Sequence, residues 1–151
     1  MIITFCGHSE FVKTAEYERI FLDLLIETVG DRKAYFYLGG YGDFDSFAYD
    51  CCKKYQETHP DVSLVFVTPY LNIRNQHDPL EYQGNRYDTI LYPGIEDKPL
   101  KFAIYHRNRW MVEKADCVIC GIEHSWGGAY TTYRYAKTKG KRVFNIVGKD
   151  F

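Results

Sequence analysis

The chain lacks any apolar run of the ~18 residues that a membrane-spanning helix needs, so a helical span is excluded. It also lacks an excess of charge of either sign, with 19 Lys and Arg against 20 Asp and Glu. A broad basic surface for a phosphate polymer is therefore missing, and nucleic acid is not expected as a partner, although a local basic site is still allowed. The five cysteines are an odd number; Cys117-x-x-Cys120 and Cys51-Cys52 raise a metal reading but lack the two clusters of recognisable spacing that structural sites show. Cys117 and Cys120 lie inside an apolar run, where cysteine behaves as a small buried hydrophobe, so no metal is expected. Met1 to Cys6 show no basic leader followed by a cleavage site; reduced thiols and a cytoplasmic location are the expectation. There is no Ser-His-Asp order and no Gly-x-Ser-x-Gly elbow, and neither internal repeats nor low-complexity tracts occur.

What is present is an alternation of short apolar runs with helical stripes in 151 residues, a length suited to one domain spanning 1–151. Strands are expected at 2–6, 34–38, 62–68, 89–91, 117–120 and 142–146. Helices are expected from the stripe Tyr17, Ile20, Phe21, Leu24, Leu25 and Thr28, from Phe44 to Tyr55, and at about 100–115 and 128–139. Several strands are continuously apolar, as in a parallel sheet covered on both faces. The expected fold is α/β, a Rossmann-like three-layer sandwich with a mainly parallel sheet. Ligands of such sheets bind beyond the carboxyl ends of the strands. Residues 69–88 break the alternation as a long connection without clear periodicity, read either as a lid or partner surface or as a solvated excursion or irregular helix.

Candidate site residues fall at those strand ends. Gly39, Gly40, Tyr41, Gly42 and Asp43 follow the second strand and open a helix; glycines there let backbone N–H groups approach a phosphate. Ser125, Trp126, Gly127, Gly128, Ala129, Tyr130, Thr131 and Thr132 form a second such opening, with hydroxyls as further donors. In the helix near 107, Arg107 and Asn108 interrupt an apolar stripe; a partly buried Arg needs an anionic partner, either a ligand phosphate or a carboxylate such as Asp45 or Glu113. Arg109 and His106 are expected to be solvated. Gly7 and His8 end the first strand, and His8 can donate a hydrogen bond or exchange a proton near neutrality. Thr68 ends the third strand. His59, His77 and His124 have no partner identifiable from sequence.

Taken in order, Phe5-Cys6-Gly7-His8, Leu38 to Ala48, the Arg107-Asn108 helix and Gly127 to Thr131 resemble the SLOG superfamily, and more narrowly its small YpsA-like members. The resemblance covers most of the chain outside 69–88. It implies a Rossmann-like sheet that binds nucleotides, nucleotide sugars or NAD-derived signals, and a homo-oligomer, such as a dimer. One branch, the LOG group, cleaves the N-glycosidic bond of nucleoside monophosphates; Arg107, Gly127, Gly128 and Thr131 match its motifs. Tyr130 stands where that group has a glycine, and Arg134 where its catalytic Glu falls. Another branch, DprA, binds single-stranded DNA, and the near-zero net charge argues against that comparison here. The leading expectation is a binding or sensing protein for a small nucleotide-like ligand, with no further cofactor. The alternatives are a nucleosidase-like hydrolase using Arg107 with Asp45, Asp43 or Glu123, and a protein-interaction domain whose ligand site has decayed.

Overall fold

The computed structural model describes residues 1–71 and 80–151. Its strands are β1 (Ile2–Gly7), β2 (Ala34–Leu38), β3 (Val62–Val67), β4 (Thr89–Leu91), β5 (Cys117–Gly121) and β6 (Arg142–Asn145). The helices are α1 (Ala15–Val29), α2 (Asp43–Gln56), α3 (Leu80–Arg86), α4 (Ala103–Lys114) and α5 (Gly128–Thr138). A single 3-10 turn, Leu100–Phe102, leads into α4, so the stripe expected at 100–115 begins in a tighter winding. All strand pairs are parallel, in the order β4-β3-β2-β1-β5-β6. The fold is α/β and Rossmann-like.

Period-two alternation divides the strand side chains between two helix layers. Ile3, Phe5, Phe36, Leu38, Leu64, Phe66 and Ile119 pack with Phe21 and Leu25 of α1 and Phe44 and Phe47 of α2. Cys6, Val118 and Cys120 point the other way, against Val112 of α4 and Tyr133 and Ala136 of α5. Cys117 and Cys120 consequently lie on opposite faces of the sheet and share no space for a metal ion. All five thiols are free and buried.

Strand order reverses between β1 and β5: the chain builds from β1 towards β4, then crosses back to place β5 on the other side of β1. At the carboxyl end of this pair Gly7 lies opposite Gly121. Both must be glycine, because the Phe44 ring of α2 lies across them. A Cβ at Gly7 would stand 2.1 Å from that ring, and one at Gly121 2.5 Å.

The long connection is partly structured. Helix α3 occupies 80–86, Tyr87 is buried, and the Tyr49 hydroxyl of α2 donates to the Arg86 carbonyl at 3.0 Å. Arg86 also lies 4.1 Å over the Tyr49 ring, so the segment from 80 to 87 is packed against α2. Asn72, Arg74, Asn75, Gln76 and His77 lie outside the described residues. Among the described residues no helix is long and apolar enough to cross a membrane.

Candidate functional site

A cleft of about 420 Å³ opens at the carboxyl ends of β1, β2 and β5, where the strand order reverses. Of the residues singled out in the sequence, Gly7, His8, Gly39, Tyr41 and Asp45 line one part of it. Arg107 and Asn108 of α4 line another, and Trp126, Gly127, Gly128 and Ala129 a third. The two glycine turns therefore share one cavity. Ser9, Glu10, His124 and Thr132 also line it.

The two helix openings share a geometry and differ in what they leave available. Gly42 caps α2 at φ 91°, ψ 175°, and Gly127 caps α5 at φ 92°, ψ 175°. This left-handed region favours glycine. At α2 the first two amides are taken: Asp43 N donates to Ser9 O at 2.9 Å, and Phe44 N to His8 O at 3.3 Å. Tyr41 N donates to the Asp45 carboxylate at 2.8 Å. These three donors are thus spent on the protein itself. At α5 no side chain caps the helix, and among the described residues nothing accepts from the amides of Gly128, Ala129 or Tyr130. The helical ladder starts only with Thr131 N donating to Gly127 O at 3.1 Å. Orphan amides with a helix dipole behind them attract anions.

Arg107 is 2% exposed and makes three bonds. Its Nη1 donates to Gly39 O at 2.9 Å and Val67 O at 2.7 Å, and its Nε to Asn108 Oδ1 at 2.9 Å. The guanidinium therefore ties together the ends of β2 and β3. Two backbone carbonyls, buried where strands end, are the partners that Nη1 satisfies, so this part of the guanidinium serves the fold while Arg107 also lines the cleft. The Gly39 position is glycine because a Cβ there would come within 3.0 Å of that guanidinium. Burial pushes the Asp45 carboxyl up to about 6, against the opposing pull of the Tyr41 amide and Arg107.

His8 is 6% exposed, and its Nε2 accepts from the amides of Glu123 at 3.1 Å and His124 at 3.4 Å. An amide nitrogen can only donate, so Nε2 carries a lone pair and the ring proton sits on Nδ1. The His8 ring stacks on His124, and His124 on Trp126, each pair with centroids 3.6 Å apart. Trp126 ends this column 68% exposed, leaving its outer face open.

Other expected residues lie off the cleft. Thr68 closes a turn with Tyr70, donating to its carbonyl at 2.9 Å. The Asp43 carboxylate accepts from Phe11 N at 3.3 Å. Thr131 Oγ1 donates back to Gly127 O at 3.1 Å, and the Tyr130 ring packs on Phe151. Gly40 and Gly42 hold positive φ in the turn, and Ser125 is exposed. Arg134 lies in a smaller groove of about 190 Å³ beside the cleft, with Tyr105, Arg109 and Tyr135; Thr132 borders both. Arg109 is not simply solvated, because it lies 3.8 Å over the Tyr135 ring. Glu10 and Ser9 were not signalled by any motif beyond their place just after the first strand. Among the described residues no three His, Cys, Asp or Glu side chains are grouped as metal ligands.

No family model matches the chain, and no curated protein does. Solved structures do. DNA processing protein A (DprA) from Streptococcus pneumoniae aligns over 95% of this chain at 18% identity and a TM-score of 0.65. DprA from Helicobacter pylori, described for its single-stranded DNA binding mode, aligns over 96% at 20% identity and 0.63. TM1055 aligns over 94% at 16% identity and 0.57. The chain spans about half of the first DprA, 49%, and 64% of the second. The expectation against nucleic acid is thereby corrected, since one of these structurally similar proteins, DprA from Helicobacter pylori, is described as binding single-stranded DNA. Net charge sums over a whole surface, whereas a strand touches one face, so a sum near zero does not exclude such a partner. The chain has the Rossmann-like fold of DprA and TM1055, consistent with the SLOG resemblance carried by its glycine turns.

Proposed function

We propose that the cleft binds a nucleotide or nucleotide-derived ligand, with a phosphate against the Gly128, Ala129 and Tyr130 amides and the base against Trp126. The observation that carries this reading is the uncapped opening of α5, which faces a cavity with its first three amides unsatisfied, while the first two amides of α2 are satisfied internally. The open face of the ring column suits a planar base, and stacking of this kind contributes about 1–3 kcal/mol per base. His8 offers an Nδ1–H donor, and Asp45 a carboxyl that changes charge near neutrality.

A second reading takes the same contacts as one unit of a single-stranded nucleic acid. It is favoured by the adjoining groove, where Arg109 and Arg134 lie beside Tyr105 and Tyr135, a mixture of cations and rings suited to a backbone and its bases. Calorimetric titration with ADP-ribose, adenosine monophosphate, inorganic phosphate and a thymidine oligonucleotide separates the two. Tighter binding of the mononucleotides than of inorganic phosphate supports the first. Binding that grows with oligonucleotide length and weakens steeply with salt supports the second. No heat with any of the four overturns both. Release of free base from the nucleotides, lost in Asp45→Asn, would assign the cleft a hydrolytic role instead.

A further inference from the structure

We propose that His8 is the positioning residue of the cleft, a latch that holds the 122–128 segment in its binding shape only while the imidazole ring is neutral. Both bonds to Nε2 come from backbone amides, and among the described residues those amides have no other acceptor. A proton on Nε2 would turn the acceptor into a donor facing two donors, and both bonds would be lost together. Upstream, the segment is anchored by Asn145, which accepts from Ile122 N at 3.0 Å and donates to its carbonyl at 2.9 Å. Lys149 donates to Glu123 O at 3.1 Å. Beyond that point the described bonds and stacks leading towards Gly127 run through His8 and His124, then Trp126. The latch thus sets both elements of the proposed site, the Trp126 face and the opening of α5.

The ionisable groups about His8 are Glu123 and His124 on the segment it holds, Glu10 on its own loop, Asp43 and Asp45 from α2, and Arg107 from α4. Burial disfavours the charged ring, the neighbouring His124 adds to this, and Glu123 opposes it; the balance holds His8 below its ordinary 6.5. The neutral, latched form therefore prevails at neutral pH, and acid opens it.

The latch is tested without ligand, and only its effect on binding rests on the function proposed above. Nitrogen-15 NMR of the whole chain from about pH 8 to about pH 5 reads the His8 tautomer together with the Glu123 and His124 amides. We expect the Nδ1–H tautomer at neutral pH, and as His8 protonates, the loss of the hydrogen-bonded shift of both amides with the same midpoint. His8→Gln keeps an acceptor without a titrating proton and should hold both amides across the range, whereas His8→Phe should release them at every pH. In the ligand arm, ADP-ribose binding in the native chain should weaken relative to His8→Gln by roughly tenfold per pH unit below the His8 midpoint, the titration of Asp45 being common to both chains. A ring protonated on Nε2 at neutral pH overturns the proposal. So do amides that stay put while His8 titrates, or a His8→Gln variant whose amides follow the native titration. Failure of ADP-ribose to bind at all, with the amide titration as expected, removes the ligand reading and leaves the latch.

Discussion

Gly128→Ala separates a binding turn from a merely structural one. Gly128 is the first residue of α5 and lines the cleft, and a Cβ there would meet no protein atom within 4 Å. It holds no positive φ, so alanine fits its backbone without strain. Replacing glycine by alanine in a helix stabilises it by up to about 1 kcal/mol. For a chain of this size that corresponds to a melting temperature higher by about 2–4 °C. The added methyl would stand in open space at a residue lining the cleft, beside the amides that are to hold a phosphate. A hydrogen bond to a charged group contributes about 1.5–3 kcal/mol, so losing the close approach should weaken binding by roughly 10- to 100-fold. Thermal melting and calorimetry on one preparation give both numbers. Gly127→Ala is the control: its Cβ also meets nothing, but φ is +92°, so it should lose about 1–3 kcal/mol of stability through backbone strain. A Gly128→Ala protein that is more stable and binds as tightly as the native chain would refute the placement of the phosphate.

Arg107→Met should behave as a stability variant, because it strips the donors from the buried Gly39 and Val67 carbonyls; urea denaturation should show a loss of about 3–5 kcal/mol. Folding raises the Asp45 carboxyl from 3.8 to about 6, so within that window the folded chain holds the extra proton, and this residue's contribution to stability falls as pH rises. Asp45→Asn should therefore stabilise the chain above about pH 6, by on the order of 1 kcal/mol, with the gain vanishing near pH 4, as read by urea midpoints at the two pH values. Trp126→Ala should cost about 1–3 kcal/mol of nucleotide binding beyond its effect on inorganic phosphate, which calorimetry with both probes checks.

The sheet was legible in the sequence because its strands are short continuous apolar runs, and each helix carries one apolar stripe. Helix α3 was obscured: Leu80, Gln83 and Tyr87 supply only a sparse inward face, while Gly84 and Asn85 read as turn residues. The two glycine turns were visible as a pair, but their inequality was not. It depends on whether the loop after β1 turns its Ser9 and His8 carbonyls onto the α2 amides, and no local pattern encodes that. Arg107 stood out as a cation on an apolar face, yet its partners are backbone carbonyls, which every residue possesses and no sequence motif marks. The His8–His124–Trp126 column escaped for a related reason. His8 and His124 meet only because β1 and β5, far apart in the chain, pair in register up to Gly7 and Gly121.

The most direct measurement is a nitrogen-15 NMR titration of the backbone amides with ADP-ribose and, separately, with a thymidine oligonucleotide. The largest shifts should fall on Gly128, Ala129 and Tyr130, with the Trp126 indole moving alongside them and Asp43 and Phe44 nearly still. Shifts that gather at Asp43 and Phe44, or elsewhere on the surface with the opening of α5 unmoved, would contradict an anion seat at that helix.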